Sequence, residues 1–213
     1  MVTLESLSKL HTSVVYLARD PINMLSVDIE ELGQILGQLE VRSEGGSAVI
    51  SSMAAQIQVK VTPRQIQVHD RSDQQPCKED FPERAVGVAG YFAKINDSIY
   101  RDVGVNFDLS FTRDLDELPS QFILKRAIRD DVFDSIGHVP KGASVRFWYD
   151  ARGMAHHLYV EPRGNSFEGA DFYAHINVNY RAEGDSPTVE WLRETIQTEY
   201  QDFINVLRSV LDG

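Results

Sequence analysis

The sequence predicts an α+β fold in which a large, twisted antiparallel sheet carries flanking helices and a long C-terminal helix. Two segments, 102–112 ("DVGVNFDLSFT") and 171–180 ("DFYAHINVNY"), alternate apolar and polar residues with a period of two, which is typical of strands with one buried face. The end of the chain instead carries apolar residues three or four positions apart, as on one side of a helix: Val189, Leu192, Ile196, Tyr200, Phe203, Leu207 and Val210.

Further strands are predicted by shorter alternating runs. Segments 57–61 and 66–68 flank a Thr-Pro-Arg turn and read as a hairpin, and segment 145–161 reads as a second hairpin. Segments 12–18 and 48–53 are predicted to be single strands. Because these strands are joined by short turns, an antiparallel sheet is expected.

Four helices are predicted between and after the strands. Ser26 is expected to cap the first helix, and Pro82 and Pro119 are expected near the starts of the second and third. For the C-terminal helix, Ser186 is the expected cap and Pro187 the first helical residue. The second helix also contains Gly87 and Gly90, which lower helix propensity, so close backbone packing is expected at both.

The order of elements is similar in the two halves of the chain. We therefore expect a single domain, 1–213, possibly built from two pseudo-repeats, 1–100 and 101–213, of a β-α-β(n)-α unit. The nearest architectures are TATA-binding-protein-like and helix-grip-like sheets. Such an analogy concerns the fold and carries no function.

Composition and charge exclude several classes of function. Lys and Arg number 21 and Asp and Glu 32, giving a net charge of −11, so nucleic acids and anionic membranes are not expected partners. Without a signal peptide or an apolar span, a cytoplasmic location is expected. Nucleotide-binding and hydrolase motifs such as the Walker loop, GxGxxG and GxSxG are absent. The single cysteine, Cys77, lies in a polar loop and is not expected to be catalytic.

Two adjacent histidines, His156 and His157, could suggest a metal or catalytic site. On a strand, however, neighbouring side chains point to opposite faces, and Gly153 fits a hairpin turn just before them. His156 is then expected on the apolar face beside Phe147, and His157 on the polar face beside Arg146. A structural role is predicted for the pair, and no metal site is expected.

The polar faces of the two clearest strands supply the candidate site. If these strands are neighbours, their polar residues form a ladder: Asn106, Asp108 and Ser110 on one strand, and Tyr173, His175, Asn177 and Asn179 on the other. Such a ladder is either an ordinary solvated face or the lining of a ligand site. The candidate ligand-binding residues are Asp108, His175, Asn177 and Asn106, and no catalytic residue or cofactor is predicted.

The segments "VKVTPRQIQVHDRS", "VGVNFDLSF" and "HINVNYRAEGDSPTVEWLRETIQTEYQDFINVLRSVL" resemble a sporadically distributed bacterial protein family of unknown function. The resemblance covers about half the chain, and the N-terminal region lacks the Pro-Pro stretch typical of that family. It implies a bacterial source and transfers no catalytic or binding residues.

These observations lead to two hypotheses about function. The first is a non-enzymatic intracellular binding or protein-interaction module that self-associates or engages a protein partner. The alternative is a small-ligand-binding carrier or enzyme of helix-grip type, with its site between the sheet and the C-terminal helix.

Overall fold

The computed structural model describes residues 5–24, 27–96, 100–112, 117–127, 143–163, 171–181 and 187–212. The strands in these ranges are β1 (Glu5–Ala18), β2 (Glu40–Glu44), β3 (Ser47–Ser52), β4 (Ile57–Thr62), β5 (Gln65–Asp70), β6 (Tyr100–Thr112), β7 (Val145–Ala151), β8 (Met154–Pro162) and β9 (Phe172–Arg181). The helices are α1 (Ile29–Leu36), α2 (Phe81–Asn96), α3 (Pro119–Ala127) and α4 (Val189–Asp212). None of these helices is long and apolar enough to cross a membrane.

The nine strands form one antiparallel sheet in the order β2-β3-β4-β5-β1-β6-β9-β8-β7. This arrangement confirms the predicted fold class. β1 and β6 pair at the centre, with Thr12 opposite Phe107 and Ser13 opposite Asn106. The other strands of each half of the chain lie outward from this central pair. That the halves are true pseudo-repeats stays a prediction.

The four helices of the described residues pack on the same face of the sheet, which holds the hydrophobic core. The Phe107 ring of β6 lies 5.4 Å from the ring of Tyr200 and 6.4 Å from that of Phe203, both on α4. On the same face the ring of Phe172 contacts Phe122 of α3. Burying these aromatic side chains supplies much of the favourable free energy of folding. We call this surface the helix face.

The first helix begins later than its predicted cap. Asp28 is the N-cap: its Oδ1 accepts hydrogen bonds from the backbone N–H groups of Glu30 at 2.8 Å and Glu31 at 3.2 Å. The prediction of Ser26 as the cap was therefore wrong, and Ser26 itself lies outside the described residues. An aspartate suits this position as well as a serine does.

The cap of α4 also differs from the prediction. Thr188 Oγ1 accepts a hydrogen bond from the backbone N–H of Trp191 at 3.1 Å, so Thr188 caps the helix. Pro187 therefore precedes the helix and is not its first residue. Ser186 lies outside the described residues.

The strand predictions missed one strand and shortened another. β1 begins at Glu5 instead of near residue 12, and its pairing with β6 contains register shifts that interrupt a simple alternation. β2 was not predicted, because its sequence "EVRSE" is mostly polar and its one apolar residue, Val41, is 47% exposed. The Gly45-Gly46 turn with positive φ at both residues is the hairpin signal that could have indicated this strand.

The loop predicted over 69–82 begins after β5, which runs to Asp70. Asp70 forms a fully buried ion pair with Lys9 of β1, at 2.5 Å. Asp70 also accepts hydrogen bonds from the backbone N–H groups of Ser72 and Lys78, each at 2.9 Å. These bonds neutralise a charge that would be costly to bury alone, and they hold the loop against the sheet.

The two glycines of α2 give a matched test of helix packing. A Cβ at Gly87 would lie 3.0 Å from Ile35 Cγ2 of α1, whereas a Cβ at Gly90 would meet nothing within 4 Å. Close packing is thus confirmed at Gly87, and the prediction was wrong at Gly90.

We expect Gly90→Ala to raise the free energy of unfolding by about 0.5–1 kcal/mol. The free energy of unfolding of Gly87→Ala, measured in urea, should be about 1 kcal/mol lower than that of Gly90→Ala, because the added methyl group meets Ile35. Equal free energies of unfolding for the two variants would contradict close packing at Gly87.

Candidate functional site

The second face of the sheet carries polar side chains at its centre, and we call it the open face. No helix in the described part of the chain packs on this face. Ser13, Asn106 and Asp108 are nevertheless buried, with 3%, 8% and 4% exposure. Polar groups buried to this degree need hydrogen-bond partners, and the open face supplies them from neighbouring strands.

The Asp108 carboxylate of β6 joins the strands on its two sides. His11 Nε2 of β1 lies 2.9 Å from Asp108 Oδ2, and His175 Nδ1 of β9 lies 3.0 Å from Oδ1. The Tyr173 hydroxyl also donates to Oδ1. Burial alone would raise the pKa of the Asp108 carboxyl, but the hydrogen bonds from His11 and His175 outweigh it and hold the pKa below its usual range. Asp108 therefore stays ionised at neutral pH.

A chain of amide hydrogen bonds runs beside this carboxylate. Asn179 Nδ2 donates to Asn177 Oδ1, and Asn177 Nδ2 donates to Asn106 Oδ1 at 2.5 Å. Asn106 Nδ2 then donates to Ser13 Oγ at 3.3 Å. The chain crosses from β9 through β6 to β1, so each amide is held in one orientation by its neighbour.

These groups line a cleft of about 320 Å³ in the middle of the open face. This volume falls within the range of small-molecule sites. The lining residues are His11, Ser13, Val15, Leu17, Gln67, His69, Gly104, Asn106, Asp108, His175, Asn177 and Asn179. Asp108 is the one carboxylate among them, and none is a lysine or arginine.

Gly104 keeps part of the cleft open. A Cβ at this position would lie 3.1 Å from Asn179 Oδ1 and 3.4 Å from Asn177 Nδ2. A side chain there would therefore press on the two asparagines that end the amide chain. The glycine leaves room for them and exposes the backbone of β6 to the cleft.

The four predicted ligand-binding residues come together, but on the opposite side of the sheet from the expected one. Asp108 pairs with His175, and Asn106 pairs with Asn177, across β6 and β9. The predicted site between the sheet and the C-terminal helix is corrected, because the four residues face away from α4, and in the described part of the chain side chains such as Phe203 pack between α4 and the sheet. A cleft on the helix-free side was not expected.

Further cleft residues, among them His11, Ser13 and His69, were missed by the sequence reasoning. These three lie on β1, which pairs with β6, and on β5, which pairs with the other side of β1. The alternation of His11, Ser13 and Val15 in the sequence was the available signal for a shared face. It did not identify which strand lay next to Asn106 and Asp108.

The adjacent histidines lie on the faces predicted for them. His156 points to the helix face, where its Nε2 lies 2.8 Å from Glu199 Oε2 of α4. Arg152 Nη2, in the hairpin turn, bonds the other oxygen of Glu199 at 2.5 Å. His157 lies on the open face and stacks on Trp148 with ring centroids 4.7 Å apart. His156 therefore joins the hairpin to α4, as a structural residue would.

The remaining chemical candidates give no reactive centre in the part of the chain that the structure describes. No group of three or more His, Cys, Asp or Glu side chains there is arranged to hold a metal ion. Cys77 is partly buried, and burial raises the pKa of its thiol to about 12. Such a thiol is protonated at neutral pH and is a poor nucleophile.

Comparison with known proteins adds a likeness of fold alone. No family model and no curated protein matches the chain, so the resemblance to the sporadically distributed bacterial family stays a prediction. A solved structure named Methanococcus jannaschii TBP is similar over 93% of this chain and 98% of its own, with 10% identity and a TM-score of 0.28. At that identity and score the likeness carries no argument about function.

His69 makes the stability of the fold depend on pH. Burial, followed by the nearby charges of His11 and Arg71, lowers the pKa of His69 to about 4. Because the unfolded chain binds this proton near pH 6.5, the unfolded state holds more protons between about pH 6.5 and 4. Stability is therefore lost as the pH falls through that window. The lowered pKa of Asp108 also makes the stability fall as the pH falls, but only below the usual aspartate pKa.

We expect His69→Gln to remove about 3 kcal/mol of this pH dependence between about pH 6.5 and 4. Urea unfolding at a series of pH values measures it, with Gln201→Ala, a substitution of an exposed, non-titrating residue on α4, as the control. Parallel stability profiles for the wild type and His69→Gln would contradict the assignment.

Proposed function

We propose that the protein is a non-enzymatic binding module whose ligand site is the cleft on the open face. The observation that carries the proposal is the chain of oriented, hydrogen-bonded polar side chains from Asn179 to Ser13, beside the Asp108 carboxylate. An ordinary solvated sheet face carries mobile, well-exposed polar groups. Here Ser13, Asn106 and Asp108 are less than one tenth exposed, and preorganised groups of this kind lower the cost of binding.

The lining favours a small, uncharged ligand with both hydrogen-bond donors and acceptors. Amide side chains such as Asn106 and Asn177 offer both functions. The single carboxylate is already paired with two histidines and a tyrosine, and His69 is neutral at pH 7 because its pKa is about 4. An anionic ligand would lose hydration without meeting a lysine or arginine in the cleft, and a cation would have to compete with the hydrogen bonds that already occupy Asp108.

Additional contact groups support recognition of a specific polar ligand. His69 lines the cleft, and its buried Nδ1 has no hydrogen-bond partner among the described residues. Val15 and Leu17 add apolar surface beside the polar groups. An apolar floor with a few fixed polar groups is typical of ligand sites.

Binding fits these groups better than acid–base catalysis. The pKa of Asp108 is held low by its hydrogen bonds, and a carboxylate with a low pKa is a weak general base at neutral pH. The same bonds occupy one nitrogen of His11 and one of His175. These side chains are better suited to fix the shape of the cleft than to exchange protons with a substrate.

The experiment is native mass spectrometry of protein purified without denaturation, followed by titration with nucleosides, monosaccharides and small amides. We expect an added mass that disappears on denaturation, or saturable binding of one of these classes. The double substitution Asn106→Ala/Asn177→Ala should weaken that binding at least about tenfold, since it removes two polar contacts.

Gln201→Ala is the matched control, because Gln201 is an exposed amide residue on α4, on the opposite face of the sheet from the cleft. It should bind like the wild type. Absence of binding by every class, or equal binding by the asparagine double variant, would refute the proposal.

A further inference from the structure

The edge strand β7 carries an exposed aromatic and charged surface. Among the described strands it pairs with β8 alone, so its outer edge ends the sheet. Trp148 is 70% exposed and Phe147 41% exposed, on opposite faces of the strand. Arg146 and Asp150 are exposed as well. In the described part of the second half of the chain, no strand pairs with this outer edge of β7.

The hairpin fixes which backbone groups point outward. Ala151 and Met154 flank a two-residue turn, Arg152-Gly153, with positive φ at both residues. In such a hairpin the flanking pair is hydrogen-bonded, and the pairs alternate from there. The N–H and C=O groups of Ala151, Tyr149 and Phe147 therefore face β8. Those of Arg146, Trp148 and Asp150 face outward, and these are the groups that another strand would bond.

The outward-facing residues are complementary to a second copy of themselves. In an antiparallel pair related by a twofold axis at Trp148, Arg146 lies opposite Asp150 of the other copy, and Asp150 lies opposite its Arg146. Phe147 lies opposite Tyr149 on the other face. Opposite charges and aromatic pairs across strands are stabilising. Moving the axis by one residue toward the turn would instead set Arg146 opposite Arg152.

From this complementarity we infer that β7 is a self-association surface: two copies of the chain pair antiparallel through β7, with the twofold axis at Trp148, and extend the sheet from one copy into the other. A closed, symmetric pairing of this kind removes both exposed edges at once. A seven-residue strand forms a small interface, so a reversible, concentration-dependent dimer is expected. The inference rests on β7 alone and is independent of the proposed ligand site.

Charge reversal tests both the surface and its register. In Arg146→Asp the dimer would place aspartates opposite each other, and in Asp150→Arg it would place arginines opposite each other. Each single variant should raise the dimer dissociation constant at least about tenfold in sedimentation equilibrium. An equimolar mixture of the two variants should form a heterodimer, because each Asp then faces an Arg. The double variant Arg146→Asp/Asp150→Arg should again dimerise alone.

The matched control is Arg42→Asp on β2, an exposed arginine at the opposite edge of the sheet, which should dimerise like the wild type. Circular dichroism checks that each variant is folded. A wild type that stays monomeric over the accessible concentration range would overturn the inference. Single variants that dimerise like the wild type, or a mixture without heterodimers, would also overturn it.

A cross-linking experiment reports the register directly. A hydrogen-bonded antiparallel pair places its Cα atoms about 5.5 Å apart, within reach of a disulfide. Trp148→Cys should therefore form a covalent dimer under mild oxidation, whereas Arg146→Cys, whose copies would be four residues out of register, should not. The native Cys77 is a poor reactant, because burial raises its pKa to about 12. Equal cross-linking of both variants, or none of Trp148→Cys, would contradict the twofold axis at Trp148.

Discussion

The carboxylate of Asp108 accepts hydrogen bonds from His11 on one neighbouring strand and from His175 and Tyr173 on the other. The three strands involved, β1, β6 and β9, form the centre of the sheet. A buried charge without such partners would cost several kcal/mol. The open face depends on this arrangement, because the same bonds that keep Asp108 ionised also orient the side chains around the cleft.

The separation of the two faces follows from the period of two in the central strands. On β6, Phe107 and Leu109 are buried under the helices, while Asn106 and Asp108 meet the polar side chains of β1 and β9. With every described helix on one face, the other is left for hydrogen bonding between side chains. The buried ion pair of Lys9 with Asp70 and the contact of His156 with Glu199 show that the helix face also contains specific polar links. These links attach a loop and α4 to the sheet, and they do not reach the cleft.

The sequence predicted the fold class because its strongest signals were local. The alternation around Phe107 and Ile176 and the stripe from Val189 onward each require one kind of element. The shared polar pattern of the two clearest strands grouped Asn106, Asp108, His175 and Asn177 on the condition that these strands are neighbours, and the pairing of β6 with β9 meets that condition. The helix caps were less certain because Ser, Thr and Asp compete for the same role at adjacent positions. β2 was not predicted, because an exposed edge strand can be polar on both faces and then shows no alternation of apolar and polar residues.

The rest of the site depended on long-range facts that a single sequence does not contain. His11 and His69 join the cleft only because β1 lies between β5 and β6. The side of the sheet that α4 covers was equally undetermined, since a helix with an apolar stripe can pack on whichever face is apolar. Once Phe107 and Phe203 are seen in contact, the polar ladder must face away from the helix. The expected cavity under α4 then becomes a cleft on the other side.

The central claim is that the open face is organised before any ligand binds. Its most direct test is the nuclear magnetic resonance of the side-chain amides of Asn106 and Asn177 in the ligand-free protein. We expect resolved N–H signals with slowed hydrogen exchange and through-space contacts from Asn177 to Asn106 across the strands, because buried hydrogen-bonded groups exchange only when the structure opens. Amide signals that average and exchange like those of free asparagine would contradict it.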